Sequence, residues 1–236
     1  LPEIEKNGIK IKLRKCVDDE AVIQEVFEED VYRVHEIPKG SLVIDLGAHI
    51  GTFTLRCAKE RDCFVYAYEP NPHSYDLLVG NIKLNHLESK VKAFNVAVGK
   101  SCRMRSFCVY DLQHGSSFSP DRGYDKLEQI QVRCVNPRAI FQANKISTCD
   151  LLKIDIELAE KEIFTDEFVP YLARAKYIIL EWHNYDGAFY AEYLKKMGYL
   201  VSVTGCGCPA PPYDPTFARG MLYARQYQSG GISVAY

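Results

Sequence analysis

Ser41-Leu42-Val43-Ile44-Asp45-Leu46-Gly47-Ala48-His49-Ile50-Gly51-Thr52-Phe53 is the stretch on which the fold turns. Residues 41–46 form a run that after Ser41 is apolar but for Asp45, the pattern of a parallel strand buried on both faces. Gly47 and Gly51 bracket a turn, and residues 52–60 read as a helix. Gly47 lets the backbone turn sharply, and Gly51 lets the helix approach a ligand or the sheet. Such a junction sets the carboxyl end of a strand beside a helix N-terminus. Open α/β sheets bind ligands there, and the free N–H groups favour an anionic group such as a carboxylate. A dinucleotide fingerprint would read G-x-G-x-x-G. Here three non-glycine residues follow Gly47, so the glycine that admits a pyrophosphate is missing. A cofactor without a pyrophosphate fits better, and an NAD-dependent oxidoreductase is disfavoured.

Outward from this junction, β-rich runs alternate with helical ones, as in a parallel sheet wrapped by helices. The pattern predicts a strand over 64–68, a helix over 72–86 with proline in its first turn, and a strand over 91–98. Residues 101–136 break the rhythm. Two β-like runs, 104–110 and 129–135, flank a polar stretch at 114–125, read as an antiparallel excursion around a mobile loop. Alternation resumes with a strand over 151–156, a helix over 157–168, a strand over 177–182 and a helix over 187–197 ended by Gly198. Residues 200–204 and 221–225 read as a closing antiparallel pair, joined by a proline-rich loop at 209–215. Residues 1–40 read as an N-terminal extension with a helix over 18–29, and residues 41–236 as one α/β domain.

Composition sets limits on function. The 236 residues are 47% hydrophobic and 25% charged, with a formal net charge of -2. That is an ordinary globular balance with no global field favouring nucleic acid or an anionic membrane. No apolar run approaches the roughly 20 residues of a membrane-spanning helix, and no signal-peptide pattern is visible in a chain that starts at Leu1. The expectation is a cytoplasmic protein. Nine cysteines without framework spacing read as reduced thiols, and Cys206-Gly207-Cys208-Pro209 as a tight turn rather than a zinc site.

Two further places carry chemistry. The strand ending Tyr68-Glu69-Pro70-Asn71 sets an acidic residue where it can accept both hydroxyls of a ribose. Leu151-Leu152-Lys153-Ile154-Asp155-Ile156-Glu157 puts charges where a central strand should be apolar. By strand alternation Lys153, Asp155 and Glu157 share a face, which suggests mutual pairing at a cleft, with Lys153–Asp155 as an ion pair. Asp155 or Glu157 suits a general base or an oxygen ligand of a divalent cation. His183, sharing a face with Glu181 on the next strand, suits a group that takes a proton near neutrality. Glu160 lies one helical turn after Glu157. His49, inside the glycine turn, reads as a cofactor contact, and the polar loop His114-Gly115-Ser116-Ser117 as a segment able to close over the site.

These pieces together resemble the FkbM-type methyltransferases, a branch of the class I S-adenosylmethionine-dependent enzymes. The resemblance rests on Val22-Ile23-Gln24-Glu25-Val26-Phe27, the stretch from Val43 to Phe53, Tyr68-Glu69-Pro70-Asn71, Gly115-Ser116-Ser117 and Leu152-Lys153-Ile154-Asp155-Ile156-Glu157-Leu158-Ala159-Glu160. Glu181-Trp182-His183 and Gly198-Tyr199 also fit. It implies a doubly wound, Rossmann-like, mostly parallel seven-stranded sheet with an antiparallel last hairpin. It implies S-adenosylmethionine held by Asp45, Gly47, Ala48, His49, Gly51, Glu69 and Pro70, with Asn95 to Ala97 flanking the adenine. The typical reaction is methylation of a hydroxyl on a sugar or other small molecule, with Asp155, Glu157 and His183 as the catalytic candidates in that order. The family usually has glycine where Leu158 stands and often asparagine where His49 stands. A nitrogen acceptor and a cofactor-binding protein without turnover are the rival readings.

Overall fold

The computed structural model describes residues 1–14, 17–110, 126–183, 186–204 and 219–227. In chain order the strands and helices are β1 (Glu3–Lys6), β2 (Ile9–Lys12), α1 (Val17–Ile23), β3 (Leu42–Leu46), α2 (Thr52–Glu60), β4 (Phe64–Tyr68), α3 (Pro72–Leu84), β5 (Val91–Phe94), β6 (Ala97–Val98), β7 (Met104–Tyr110), β8 (Lys126–Val135), α4 (Pro137–Ala143), β9 (Cys149–Ile154), α5 (Glu160–Ile163), α6 (Val169–Leu172), β10 (Ala175–His183), α7 (Gly187–Lys196), β11 (Tyr199–Thr204) and β12 (Arg219–Gln226).

Seven strands form the main sheet in the order β11-β12-β10-β9-β3-β4-β5. Neighbours from β10 to β5 run parallel, and β12 is antiparallel to both β10 and β11. The chain leaves β3 toward β4 on one side and returns to β9 on the other, so the order reverses between β3 and β9. Ligands bind in open α/β sheets at the carboxyl ends of the strands at such a reversal.

Alternation along the strands divides the core. Val43, Val65, Leu151 and Ile179 pack with Phe53 and Leu55 of α2, Leu78 and Ile82 of α3, and Ile9, Ile11, Val26 and Tyr32 of the N-terminal segment. Ile44, Leu152, Ile178 and Leu180 face the other way, onto Phe141, Ile163, Leu172 and Leu194 of the later helices. Both faces of the central strands are thus covered, which is why they read as apolar runs. The antiparallel excursion is a separate three-stranded sheet, β6-β8-β7, with its own small core.

The structure departs from the sequence reading in four places. The extension opens with a β1–β2 hairpin, turning at Asn7-Gly8 with both φ positive, as a two-residue hairpin turn requires. The hairpin is held to α3 by buried Asn81 and Asn85, whose amides exchange hydrogen bonds with the backbone of Lys12 and Lys10 at 2.7 to 3.0 Å. The single strand expected over 91–98 is two, because β6 leaves for the small sheet. Of the helix expected over 157–168 only the short α5 forms, and α6 follows beyond it. Helix α4, started by Asn136 accepting from the Ala139 N–H with Pro137 behind it, was not foreseen. The closing pair and the excursion strands β7 and β8 pair as expected. The loop residues 114–117 and Cys206–Cys208 lie outside the described residues. Among the described residues no helix is long and apolar enough to cross a membrane, and the six described cysteines are free.

Candidate active site

The carboxyl ends of β3, β4, β9 and β10 converge where the sheet order reverses. At the first of these Gly47 adopts φ +83°, and a Cβ there would stand 1.7 Å from the Asp155 carbonyl oxygen. Only glycine permits both that conformation and that approach. The Asp155 N–H donates to Leu46 O at 3.0 Å, and the N–H groups of Gly47 and Ala48 both donate to Tyr68 O at 3.0 Å. The turn is therefore clamped between the ends of β9 and β4.

His49 follows at φ +51°, and its N–H donates to Glu69 Oε2 at 2.8 Å. The Asn71 N–H donates to Glu69 Oε1 at 2.8 Å. Glu69 is only 6% exposed, and burial pushes its carboxyl up to about 7 although these two donors oppose it. Each of its oxygens still has a lone pair to offer. Asn95 spends its amide N–H groups on the carbonyls of Glu69 and Pro70, at 2.9 and 3.1 Å, fixing the end of β4 against that of β5. Gly51, at φ +95°, begins α2. Ala97 packs into the core of the small sheet with Phe107 and Cys134, so the structure does not bring its side chain to the turn.

Asp45 lies beneath the turn, fully buried, with Thr54 Oγ1 donating to Oδ2 at 2.6 Å and Lys153 Nζ to Oδ1 at 3.1 Å. Its side chain has no exposed surface and both oxygens accept from protein groups, so it supports the turn from below. Lys153 also donates to Gly47 O at 2.8 Å and stands 3.5 Å from Asp155 Oδ2. Burial would lower its ammonium, but Asp45 and then Asp155 outweigh this and raise it. The expected Lys153–Asp155 pair exists as the looser half of a three-way contact centred on a lysine that the sequence reading did not place among the site residues.

Two N-terminal residues reach the turn from outside. Arg14 Nη2 stands 2.9 Å from His49 Nε2, and its guanidinium also pairs with buried Asp19 at 2.6 Å. A guanidinium only donates, so Nε2 accepts and the ring proton sits on Nδ1. Burial of the ring nitrogens takes the imidazole down to about 4, consistent with a neutral ring. Nδ1 has no hydrogen-bond partner among the described residues. It is an orphan donor facing inward beside the glycine turn.

At the carboxyl ends of β9 and β10 the sequence-predicted trio assembles: ligand atoms of Asp155, Glu157 and His183 all lie within 4.8 Å of one another. The route differs from the expected alternation. Strand β9 stops at Ile154, and Glu157 and Leu158 take φ of +50° and +72°. These left-handed conformations cost a non-glycine residue about 1 kcal/mol or more each. The two successive left-handed residues turn Glu157 toward His183, whose Nε2 is 3.6 Å from Glu157 Oε2 and whose Nδ1 is 3.1 Å from Glu160 Oε1. Burial would lower the imidazole, but Glu157 and then Glu160 raise it to about 10. These carboxylates favour the charged form of the ring.

Tyr32 closes the site from the N-terminal segment, its hydroxyl 3.0 Å from Asp155 Oδ2 and 3.2 Å from Glu181 Oε2. Arg219 links Glu25 at 2.7 Å to Glu181 at 3.4 Å. Tyr32, Arg14, Asp19 and Arg219 were missed because nothing in their own neighbourhoods signals chemistry. A separate groove of about 460 Å³ lies at the opposite, amino ends of the strands, lined by Ser41, Asp150, Tyr177 and Leu200 among others, and holds none of these groups.

Comparison with known proteins fits this geometry. The methyltransferase FkbM domain model matches residues 45–201. The chain is 27% identical over 155 residues to methyltransferase sdnD of Sordaria araneosa, an alignment covering 65% of this chain and 58% of that protein. It is 25% identical over 213 residues to 31-O-demethyl-FK506 methyltransferase FkbM of Streptomyces tacrolimicus, covering 77% and 81%. A shorter stretch of 58 residues is 41% identical to the tRNA (guanine(37)-N(1))-methyltransferase of Batrachochytrium dendrobatidis, covering 25% of this chain and 12% of that one. Among solved structures, M. jannaschii TYW2 in complex with AdoMet shares the fold, with TM-score 0.51, 20% identity and coverage of 94% of this chain and 84% of the other.

Proposed function

The chain belongs to the FkbM methyltransferase family and is an S-adenosylmethionine-dependent methyltransferase, and from that premise we propose that it methylates a hydroxyl oxygen of a small-molecule acceptor, of the sugar or natural-product class, with Asp155 taking the hydroxyl proton. The observation that carries this reading is the contact of Gly47 with the Asp155 backbone. It sets a carboxylate directly beside the turn that cradles the cofactor.

The residues fit the cofactor. Glu69 has lone pairs for the two ribose hydroxyls, and His49 Nδ1–H is a donor in want of an acceptor. Pro70 and Asn95 frame the same end of β4 and β5, and Gly51 opens α2 beneath it. When bound, S-adenosylmethionine supplies an electrophilic methyl carbon. The protein's work is then alignment of an oxygen with that carbon and removal of a proton by a nearby base. Asp155 is the candidate base because it is partly exposed at the cleft and held by Tyr32 and Lys153. Glu157 and Glu160 keep His183 charged, and that cation balances the surrounding carboxylates.

The acidic surroundings of Asp155 favour an uncharged, hydroxylated acceptor over a phosphate-rich nucleic acid. We read the protein as acting in the cytoplasm. The test begins with calorimetric titration of S-adenosylhomocysteine into the wild-type protein and a Glu69→Ala variant. Micromolar binding weakened at least tenfold by the substitution is expected. Methyl transfer from labelled S-adenosylmethionine to a panel of hydroxylated sugars and polyketides, lost in Asp155→Asn with cofactor affinity retained, completes it. Transfer to amine acceptors alone would overturn the oxygen assignment.

A further inference from the structure

Tyr32 comes from the segment that precedes the first strand of the main sheet, yet it is one of the most firmly placed side chains in the site. Asp30 and Arg33 on either side both adopt φ +48°. The turn they make is closed by the Arg33 N–H to Asp30 O at 2.7 Å and the Val34 N–H to Asp30 Oδ1 at 2.8 Å. Tyr223 donates its hydroxyl to Val31 O at 2.6 Å, and the Arg33 guanidinium stacks 3.8 Å above the Tyr223 ring. The Tyr32 ring, 5% exposed, meets Phe53 edge-on at 5.2 Å with Lys153 Nζ 5.0 Å from its centre.

That placement leaves the hydroxyl between Asp155 Oδ2 and Glu181 Oε2, at 3.0 and 3.2 Å. A phenol has one proton to give and two lone pairs. Two ionised carboxylates could share it only by leaving one oxygen facing another without a proton. Both contacts are hydrogen bonds if one carboxyl brings its own proton. We propose that Tyr32 is a positioning residue for Asp155: its hydroxyl donates to Asp155 and accepts from a neutral Glu181, so the pair holds one proton and keeps its negative charge on Asp155.

The charges around the pair agree. Lys153 of β9, His183 of β10 and Arg219 of β12 face six carboxylates: Asp45, Asp155, Glu25, Glu157, Glu160 and Glu181. A proton on Glu181 relieves that excess at a buried carboxyl. Burial and then the Asp155 carboxylate raise the Glu181 carboxyl well above the usual range, with His183 and Arg219 opposing and Glu157 adding. Glu181 is the member of the pair with least access to water, so the proton belongs there. The consequence for catalysis rests on the reading of Asp155 as the base, but the shared proton does not.

The test is an infrared titration of carboxyl groups in the full-length protein, without any acceptor, with Asp155→Asn and Glu181→Gln assigning the bands. The expected result is a protonated carboxyl at neutral pH that disappears in Glu181→Gln. In Tyr32→Phe the one-proton state loses a charge-assisted bond to Asp155 and the bond from Glu181, whereas the doubly protonated state loses only neutral bonds and the fully ionised state only one. The pH interval over which the pair holds one proton should therefore narrow from both ends, by about one pH unit at each, as expected for the loss of a hydrogen bond. Phe53→Leu loosens the same ring packing while sparing the hydroxyl, and should leave the interval unchanged. An interval unaltered in Tyr32→Phe, or equally narrowed in Phe53→Leu, overturns the proposal. Because no acceptor is present, an error in the acceptor class cannot produce either result.

Discussion

Replacing Lys153 with methionine should be the most damaging conservative-volume change in the site. The Lys153 side chain is 3% exposed and that of Asp45 is not exposed at all. The substitution leaves Asp45 with one donor, Thr54 Oγ1 at 2.6 Å, and no compensating charge. It also removes the 2.8 Å bond that holds the Gly47 carbonyl. Breaking a buried pair by deleting one partner costs about 3–5 kcal/mol, because the other charge is stranded. That range is a large part of a typical domain's stability. The expected urea denaturation midpoint of Lys153→Met is accordingly far below wild type, at unchanged slope. Adding Asp45→Asn should recover part of the loss, because the stranded charge goes with it. The double-mutant cycle should show coupling of at least about 2 kcal/mol. A single-variant loss under about 1 kcal/mol, or strict additivity, would mean that Lys153 is not the keystone and that the turn is held by its backbone bonds alone.

Two further outcomes follow from the same site. The folded Glu69 carboxyl sits at about 7 against about 4.3 unfolded, so in the free protein this group stabilises the fold most at low pH and loses that contribution as pH rises through 7. A ligand whose hydroxyls donate to the carboxylate should drive the proton off. Calorimetry of S-adenosylhomocysteine near pH 6 in buffers of different ionisation enthalpy should therefore record release of up to about one proton per site, and Glu69→Gln should record none. At position 158, where φ is +72°, Leu158→Gly should be more stable than Leu158→Ala by about 1 kcal/mol. Both lose the same packing, so thermal denaturation of the pair reads the backbone strain directly, and equal stabilities would deny it.

The sheet was legible because its central strands are buried on both sides. Residues 42–46, 64–68 and 149–154 have no amphipathic alternative, and the glycine turn punctuates the first of them. The hairpin at 3–12 was overlooked although Asn7-Gly8 between alternating isoleucine and charge is a strong local signal. The site was half legible. Lys153 and Asp155 follow from period-two alternation, but Glu157 reaches His183 only because the strand ends early and two residues turn left-handed, which propensity does not foretell for glutamate and leucine. Tyr32 lies 123 residues from Asp155 and 149 from Glu181 in sequence. No local pattern announces such a contact, because it is made by the packing of the N-terminal segment across finished strands.

That packing bears on what can vary in this protein. A Cβ at Gly47 would collide with the Asp155 backbone, and Lys153 bonds Asp45, Gly47 and approaches Asp155 at once. The glycine turn and the candidate base are therefore one mechanical unit. A substitution that moves the backbone on either side displaces the other, so its effects on cofactor affinity and on turnover should be strongly coupled, whereas a side-chain change such as Asp155→Asn leaves the backbone contact in place. Residues that face the pair from other elements are not so bound. Tyr32 of the N-terminal segment bonds Asp155, Arg219 of β12 links Glu25 to Glu181 beyond it, and Glu157-Leu158 follow β9 by a single turn. Changes among them can alter charge and shape around Asp155 while the turn stays in place. The acceptor preference of this methyltransferase should therefore be retuned by substitutions at these positions rather than within the glycine turn.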